Sequence, residues 1–308
     1  MSLQIVAGSA NPHLAARVAR ELGVELAACD VASFPDGEIR PTVSGVRGGD
    51  VYVIQPTGRA VNQYLMELLF VLDACRRAGA ERVTAVVPYF GYARQDRRTH
   101  AGESLGGRVV ADLIRSAGAD RLVVVDPHTA AFEAMCPIPV ETLTAVPILA
   151  GALTPTLDDS VIVAPDLGAV KLAERYASEL GLPVAFVRKT RISGTVVAAD
   201  ELVGDVRNRH AIIVDDMIST GGTVQAAAHL LAGRGARPDL VIAATHGLLV
   251  GSVARRFETI RSRRLVVTDT VTPSDQVPIE TFSVATLLAD AVGRLYRSEP
   301  LDELGGYR

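Results

Sequence analysis

A-I-I-V-D-D-M-I-S-T-G-G-T, residues 211–223, carries four apolar residues into two acids and then into a glycine-rich turn. The apolar residues predict a buried strand of a parallel sheet, near 210–215. Asp215 and Asp216 are expected where that strand leaves the sheet. Ser219, Thr220, Gly221, Gly222 and Thr223 follow, and V-Q-A-A-A-H-L-L-A continues as a helix near 222–234. Backbone N–H groups and hydroxyls at a helix N-terminus make a cradle for a phosphate. Two carboxylates beside it suit a sugar's vicinal hydroxyls, a metal, or both.

The same strand–turn–helix rhythm runs along the chain. Strands are predicted near 4–7, 50–55, 82–88, 121–126, 160–165, 184–188, 239–245, 263–268 and 281–284. Helices fit near 11–22, 59–78, 105–117, 168–180 and 251–261. The 59–78 helix places Leu65, Leu68, Leu69, Leu72 and Cys75 at helical spacing. R-R-A-G-A-E-R-V-T-A-V-V-P at 76–88 returns as R-S-A-G-A-D-R-L-V-V-V-D-P at 115–127, with an echo at 232–244. Each reads as a helix ending on a left-handed glycine, then a tight turn into a strand. Alternating β and α segments imply α/β layering, with mostly parallel sheets flanked by helices. The echo between halves implies two similar domains, divided near 143–158.

Composition agrees. The 308 residues suffice for two domains of about 150 each. Hydrophobic residues make up 48% and charged residues 21%, the balance of a globular protein with ample core. A net charge of −4 gives no case for nucleic-acid binding. Cys29, Cys75 and Cys136 are scattered, so neither a disulfide framework nor a zinc site is expected, and a cytoplasmic location is the default. No signal peptide and no membrane span are expected.

Open α/β sheets bind ligands beyond the carboxyl ends of their strands. Here those ends carry Asp126 and His128, Asp166, Lys189, Asp215 and Asp216, Thr245 and His246, and Asp269. That clustering points to an enzyme. P-Y-F-G-Y-A-R-Q-D-R-R, residues 88–98, adds arginine forks for phosphates and aromatic faces for stacking. Arg188, Lys189 and Arg191 read either as a basic hairpin tip or as a clamp for a polyphosphate. F-P-D-G-E, residues 34–38, reads as a turn, with two acids able to accept from an exocyclic amine.

Taken in order, these stretches resemble the ribose-phosphate diphosphokinases (phosphoribosyl pyrophosphate synthetases) over nearly the whole chain. P-Y-F-G-Y-A-R-Q-D-R-R is the most specific likeness, joined by F-P-D-G-E, V-D-P-H, K-T-R, V-D-D-M-I-S-T-G-G-T, A-T-H-G-L-L and V-V-T-D-T. The resemblance implies two phosphoribosyltransferase-like domains. They are 1–145 on the ATP side, lacking the ribose-phosphate loop, and 146–285 bearing it. Residues 286–308 form a C-terminal helix and tail packing on the first domain. It implies transfer of the β,γ-diphosphoryl group of MgATP to the 1-hydroxyl of ribose 5-phosphate.

The same resemblance assigns roles. Ser219, Thr220, Gly221, Gly222 and Thr223 hold the 5-phosphate, and Asp215 and Asp216 hold the ribose hydroxyls. Phe34, Asp36, Glu38, Arg94, Gln95 and Asp96 bind ATP. His128 and Asp166 assist Mg²⁺, and Lys189 and Arg191 are catalytic. It also implies a homo-oligomer, a dimer or larger. Departures from the family pattern are Ser219 where an acid is usual, A-F-E-A-M-C at 131–136 in place of Q-I-Q-G-F-F, and P-D-L-G-A with Leu172. A phosphoribosyltransferase and a non-catalytic associated subunit are the alternatives.

Overall fold

A computed structural model of the chain describes residues 1–154, 158–190 and 199–305. It forms two units. The first is Met1–Thr144 with Thr270–Thr272 and Ser283–Arg308, and the second is Ala145–Asp269 with Pro273–Phe282.

Unit 1 contains β1 (Leu3–Ala7), α1 (Pro12–Glu21), β2 (Leu26–Ala27), β3 (Cys29–Ser33), β4 (Ile39–Val43), β5 (Asp50–Ile54) and α2 (Val61–Arg77). It continues with β6 (Arg82–Val86), α3 (Gly106–Ser116), β7 (Arg121–Val125), α4 (Phe132–Met135) and β8 (Val140–Leu143). Its main sheet runs β2-β1-β5-β6-β7-β8, with every pair parallel. β3 and β4 form a separate antiparallel hairpin whose turn is F-P-D-G-E. β5 is buried along its whole length, as a central strand covered on both faces must be. α2 buries Leu65, Leu68, Leu69, Leu72 and Cys75, the stripe its spacing predicts.

Unit 2 contains α5 (Val146–Leu153), β9 (Ser160–Ala164), α6 (Val170–Leu180), β10 (Val184–Thr190), β11 (Ala199–Val203) and β12 (His210–Ile218). α7 (Gly222–Gly233), β13 (Leu240–Gly247), α8 (Val253–Glu258), β14 (Ser262–Thr268) and β15 (Glu280–Phe282) complete it. Its sheet runs β11-β10-β9-β12-β13-β14-β15, parallel except where β11 folds back on β10. The last helix, α9 (Ala285–Arg297), packs against α1 within unit 1.

Apart from the added β11, the two main sheets share one strand order. In each, the second strand pairs on one side of the first, and the chain then crosses to the other side and continues outward. Period-two alternation fills both faces of β12. Ala211 and Ile213 join the core under α7, while Ile212 and Val214 join the core under α5 and α6. Burial of each of Ile212, Ile213 and Val214 stabilises by about 1.5–3 kcal/mol. The repeated A-G-A phrase ends its helices as expected. Gly118 has φ +109°, and Ala119 N–H reaches back to Ile114 O at 3.2 Å, closing the last turn of α3.

Two sequence expectations are corrected. β12 does not stop at Asp215 but runs to Ile218, so both acids lie within the strand. Residues 146–153, within the stretch read as the division between domains, form the unpredicted helix α5, with Pro147 in its first turn, where no N–H is needed. Thr245 and His246 lie inside β13 and are buried.

At the opposite end of the unit 1 sheet, Asp50 opens β5 beside Arg82, which opens β6. Arg82 Nε donates to Asp50 Oδ1 at 2.8 Å and Tyr52 Oη donates to Asp50 Oδ2 at 3.1 Å. The Asp50 side chain is 1% exposed. Asp50→Ala leaves a guanidinium and a phenol without their acceptor, at an expected cost of about 3 kcal/mol. Hydrogen exchange of β5 and β6 amides checks this, and unchanged protection would contradict it.

Candidate functional site

Crossing from one side of the first strand to the other leaves a crevice at the carboxyl ends of the two strands that flank the crossing. In unit 2 those strands are β9 and β12, paired from His210↔Ser160 to Ile213↔Val163. Asp166 follows β9, and Asp215, Asp216 and the S-T-G-G-T turn come from β12. The predicted acceptor residues of unit 2 are therefore gathered at one switch point.

The turn is short and tightly held. Leu249 N–H donates to Ile218 O at 3.0 Å and Val250 N–H to Ser219 O at 2.9 Å, pinning the exit of β12 to the segment after β13. Gly221 caps α7 with φ +78°, and a Cβ there would meet Phe257 Cε2 at 2.9 Å. Both the left-handed backbone and the close ring demand glycine. No side chain caps α7. Its first-turn N–H groups and positive pole are therefore left to another acceptor, and Thr220 and Thr223 bring hydroxyls beside them, the groups a phosphate site uses.

The carboxylates next to this cradle repel one another. Burial, then Asp216, then Asp166 push the Asp215 carboxyl well above the ordinary carboxylate range. Asp216 N–H donates to Asp215 Oδ1 at 3.0 Å, which only partly offsets this. Asp166 caps the one-turn segment Leu167–Ala169, with its Oδ1 accepting from Gly168 N–H at 2.9 Å and Ala169 N–H at 3.3 Å. A site built of like charges in a desolvated crevice is completed by a cation or by hydroxyl donors.

One residue at the cradle escaped the sequence reading. Arg256 of α8 donates from Nη1 to Thr220 Oγ1 at 3.0 Å and to Thr220 O at 3.3 Å. A Cβ on Gly222 would lie 2.6 Å from that nitrogen. Nothing in R-R-F-E-T signals this contact, which exists only because α8 packs beside the first turn of α7.

The remaining predicted residues fall as follows. Lys189 and Thr190 continue β10, paired with Asp200 and Ala199. The Lys189 side chain and all of Arg191 lie outside the described residues. Arg188, read with them either as a basic hairpin tip or as a clamp, is tied to Glu201 across the β10–β11 hairpin, with Nε to Oε2 at 3.0 Å. In unit 1, Phe34, Asp36 and Glu38 are exposed at the tip of the β3–β4 hairpin, where Phe34 N–H bonds Glu38 O at 2.7 Å. The Arg40 guanidinium stacks over the Phe34 ring at 5.3 Å. Arg94 and Gln95 are exposed, Asp96 is half-buried, and the exposed His128 follows β7.

Unit 1 has the matching switch point, between β1 and β5, and a cavity opens there between the loop after β1 (Ser9, Ala10) and the loop after β5 (Pro56, Gly58, Arg59). Ser9 N–H and Oγ donate to the two carboxylate oxygens of the buried Glu67, at 2.6 and 2.5 Å. Ala10 N–H donates to Gln55 Oε1 at 3.0 Å, and a Cβ on Gly8 would strike that oxygen. These bonds fix the loop after β1, the counterpart of the Asp166 segment after β9; the counterpart of α7 is α2, which likewise has no side-chain cap.

Comparison with known proteins accords with the two-unit fold. Residues 149–264 match the phosphoribosyl transferase domain, and residues 3–118 match the N-terminal domain of ribose phosphate pyrophosphokinase. The ribose-phosphate pyrophosphokinase of Clostridium perfringens is 39% identical over 311 residues, spanning 98% of this chain and 97% of that protein. That of Staphylococcus saprophyticus is 40% identical over the same span. A crystal structure of phosphoribosylpyrophosphate synthetase from Mycobacterium smegmatis, 39% identical, superposes with a TM-score of 0.90, covering 97% of this chain and 100% of that one. Fold and site thus define a protein built from phosphoribosyltransferase-type domains. More narrowly, the chain belongs to the ribose-phosphate pyrophosphokinase family. Among the described residues, no helix is long and apolar enough to cross a membrane.

The raised proton affinity of Asp215 has a measurable sign. An unfolded aspartate titrates near 4, and the folded group binds its proton more tightly. Its contribution to stability is therefore full below about pH 4 and is lost as pH rises through the folded value. Asp215→Asn removes that loss. Its melting temperature should gain on the parent protein steadily from about pH 4 toward neutrality. A difference independent of pH would show that the carboxyl is not perturbed.

Proposed function

We propose that this chain transfers the β,γ-diphosphoryl group of MgATP to the 1-hydroxyl of ribose 5-phosphate, giving 5-phosphoribosyl 1-diphosphate and AMP. One observation carries the reading. In a chain matched over 98% of its length by ribose-phosphate pyrophosphokinases, a helix N-terminus without a side-chain cap lies beside two acids at the switch point of unit 2. The cradle receives the 5-phosphate, and Asp215 and Asp216 accept from the ribose hydroxyls, fixing the sugar by both ends. The new bond joins the anomeric oxygen to the β-phosphorus, and AMP leaves with the electrons of the bridging bond.

Positioning and charge neutralisation suffice for such a transfer. Arg94, Gln95 and Asp96 bind ATP. Phe34, Asp36 and Glu38 read its adenine. Their exposure at a hairpin tip supports contact with a neighbouring copy, in a homo-oligomer of two or more. Lys189 and Arg191 neutralise the transferring group. Asp166 offers the hard carboxylate oxygens that Mg²⁺ prefers, and its charge already bears on the neighbouring Asp215. Among the described residues no three His, Cys, Asp or Glu side chains gather closely enough to hold a metal unaided. Asp166, with His128 as second contributor, would therefore share it with water and substrate oxygens, where it supplies charge neutralisation to the phosphates. A cytoplasmic location belongs to the same reading. The single-domain transferase finds no support in a match that covers both units.

Protein supplied with ribose 5-phosphate, Mg²⁺ and ATP should release AMP in step with the sugar diphosphate. ADP as the sole nucleotide product would overturn the mechanism. Lys189→Ala should lower kcat by about 10²–10³-fold with little change in the KM for ribose 5-phosphate, because its charge is used in the transition state. Steady-state kinetics checks this, and an unchanged kcat would remove Lys189 from catalysis.

A further inference from the structure

We propose that Arg256 is the cation of the 5-phosphate cradle and the residue that makes the acceptor site selective for a phosphorylated sugar. The proposal rests on reading that site as one for ribose 5-phosphate.

Charge balance is the first ground. The turn itself offers only neutral groups, the backbone N–H groups and the hydroxyls of Ser219, Thr220 and Thr223. Beside it stand Asp166, Asp215 and Asp216, each influencing the charge of the cluster. A phosphate dianion entering there meets several negative charges, and neutral donors do not offset them. Arg256 is the cation that contacts the turn directly, through Thr220.

The placement of Arg256 is the second ground. Its guanidinium lies at the N-terminus of α7, the positive pole of a twelve-residue helix, where a cation is disfavoured. Other arginines of unit 2 hold carboxylates: Arg188 with Glu201, Arg237 with Asp159, Arg264 with Glu280. Arg256 has no carboxylate partner among the described residues and rests on the neutral oxygens of Thr220. Gly222 keeps the space for it, since a Cβ there would strike Nη1. A half-buried, carboxylate-free cation at the positive end of a helix is unfavourably placed. An anion between guanidinium and helix terminus reverses the sign of both interactions at once. Phosphate oxygens match the guanidinium fork bidentately and displace the weaker contacts to Thr220.

Arg256→Met and Arg256→Lys test this, with Arg255→Met as the control. Arg255 is the exposed neighbour on the same helix and carries the same charge. In Arg256→Met the KM for ribose 5-phosphate should rise about tenfold or more, as expected for losing a charged hydrogen bond. Its KM for ATP should stay unchanged, and its kcat should fall by less than the KM rises. Arg256→Lys should recover part of the loss, and Arg255→Met should match the parent protein. Thermal shift provides a readout without turnover: ribose 5-phosphate, but not ribose, should raise the melting temperature of the parent, and Arg256→Met should lose most of that rise. An unchanged KM for ribose 5-phosphate in Arg256→Met, or an equal rise in Arg255→Met, would overturn the proposal. If the parent protein neither releases AMP nor responds to ribose 5-phosphate, the reading of the site itself fails, and the proposal with it.

Discussion

The pairing of β9 with β12 is the constraint on which the functional half of the molecule depends. Parallel register from Ser160 to Val163 leaves the two strands ending side by side. The chain departs from them in opposite directions, and the space between the departures is what a ligand can enter. Everything offered to that space arrives by local sequence from one strand end or the other. Asp166 comes after β9; Asp215, Asp216 and the S-T-G-G-T turn come from β12.

The two units show one scaffold given different side chains. Both main sheets share the same strand order, both have a switch point, and the helix after the third strand of each, α2 or α7, has no side-chain cap. They differ in the loop after the first strand. In unit 1 its N–H groups are held by Glu67 and Gln55, whereas in unit 2 Asp166 bonds the N–H groups of its own turn and adds its charge to that of Asp215. The crowding of Asp215 by burial and by its neighbours costs stability and strengthens the pull on whatever neutralises it.

Legibility followed burial. Strands covered on both faces, such as D-V-Y-V-I and H-A-I-I-V, announce themselves as apolar runs because no solvent-facing position interrupts them. β3 and β4 went unseen as strands because they alternate half-buried and exposed residues, including Asp30 and Arg40, and contain Pro41. The carboxyl end of β12 was misjudged for a similar reason. Two aspartates are poor strand formers by composition, yet β13 alongside supplies Ala244, His246 and Gly247 as pairing partners through Ile218. α5 was hidden by a proline that a first helical turn tolerates.

The sequence by itself determined the α/β class, the repeated unit and which acids, hydroxyls and glycines share one stretch. All three are local: apolar period, glycine at a left-handed helix end, and acids and hydroxyls adjacent in one turn. Only the tertiary structure decided which groups meet across the chain. It set Asp166 against Asp215, tied Ser9 to Glu67 in unit 1, and laid Arg256 on Thr220 from 36 residues away. The physical reason is that periodicity and turn chemistry report on neighbours along the backbone. Electrostatic partners at a strand end are chosen by how sheets and helices pack, and no local pattern in the chain encodes that.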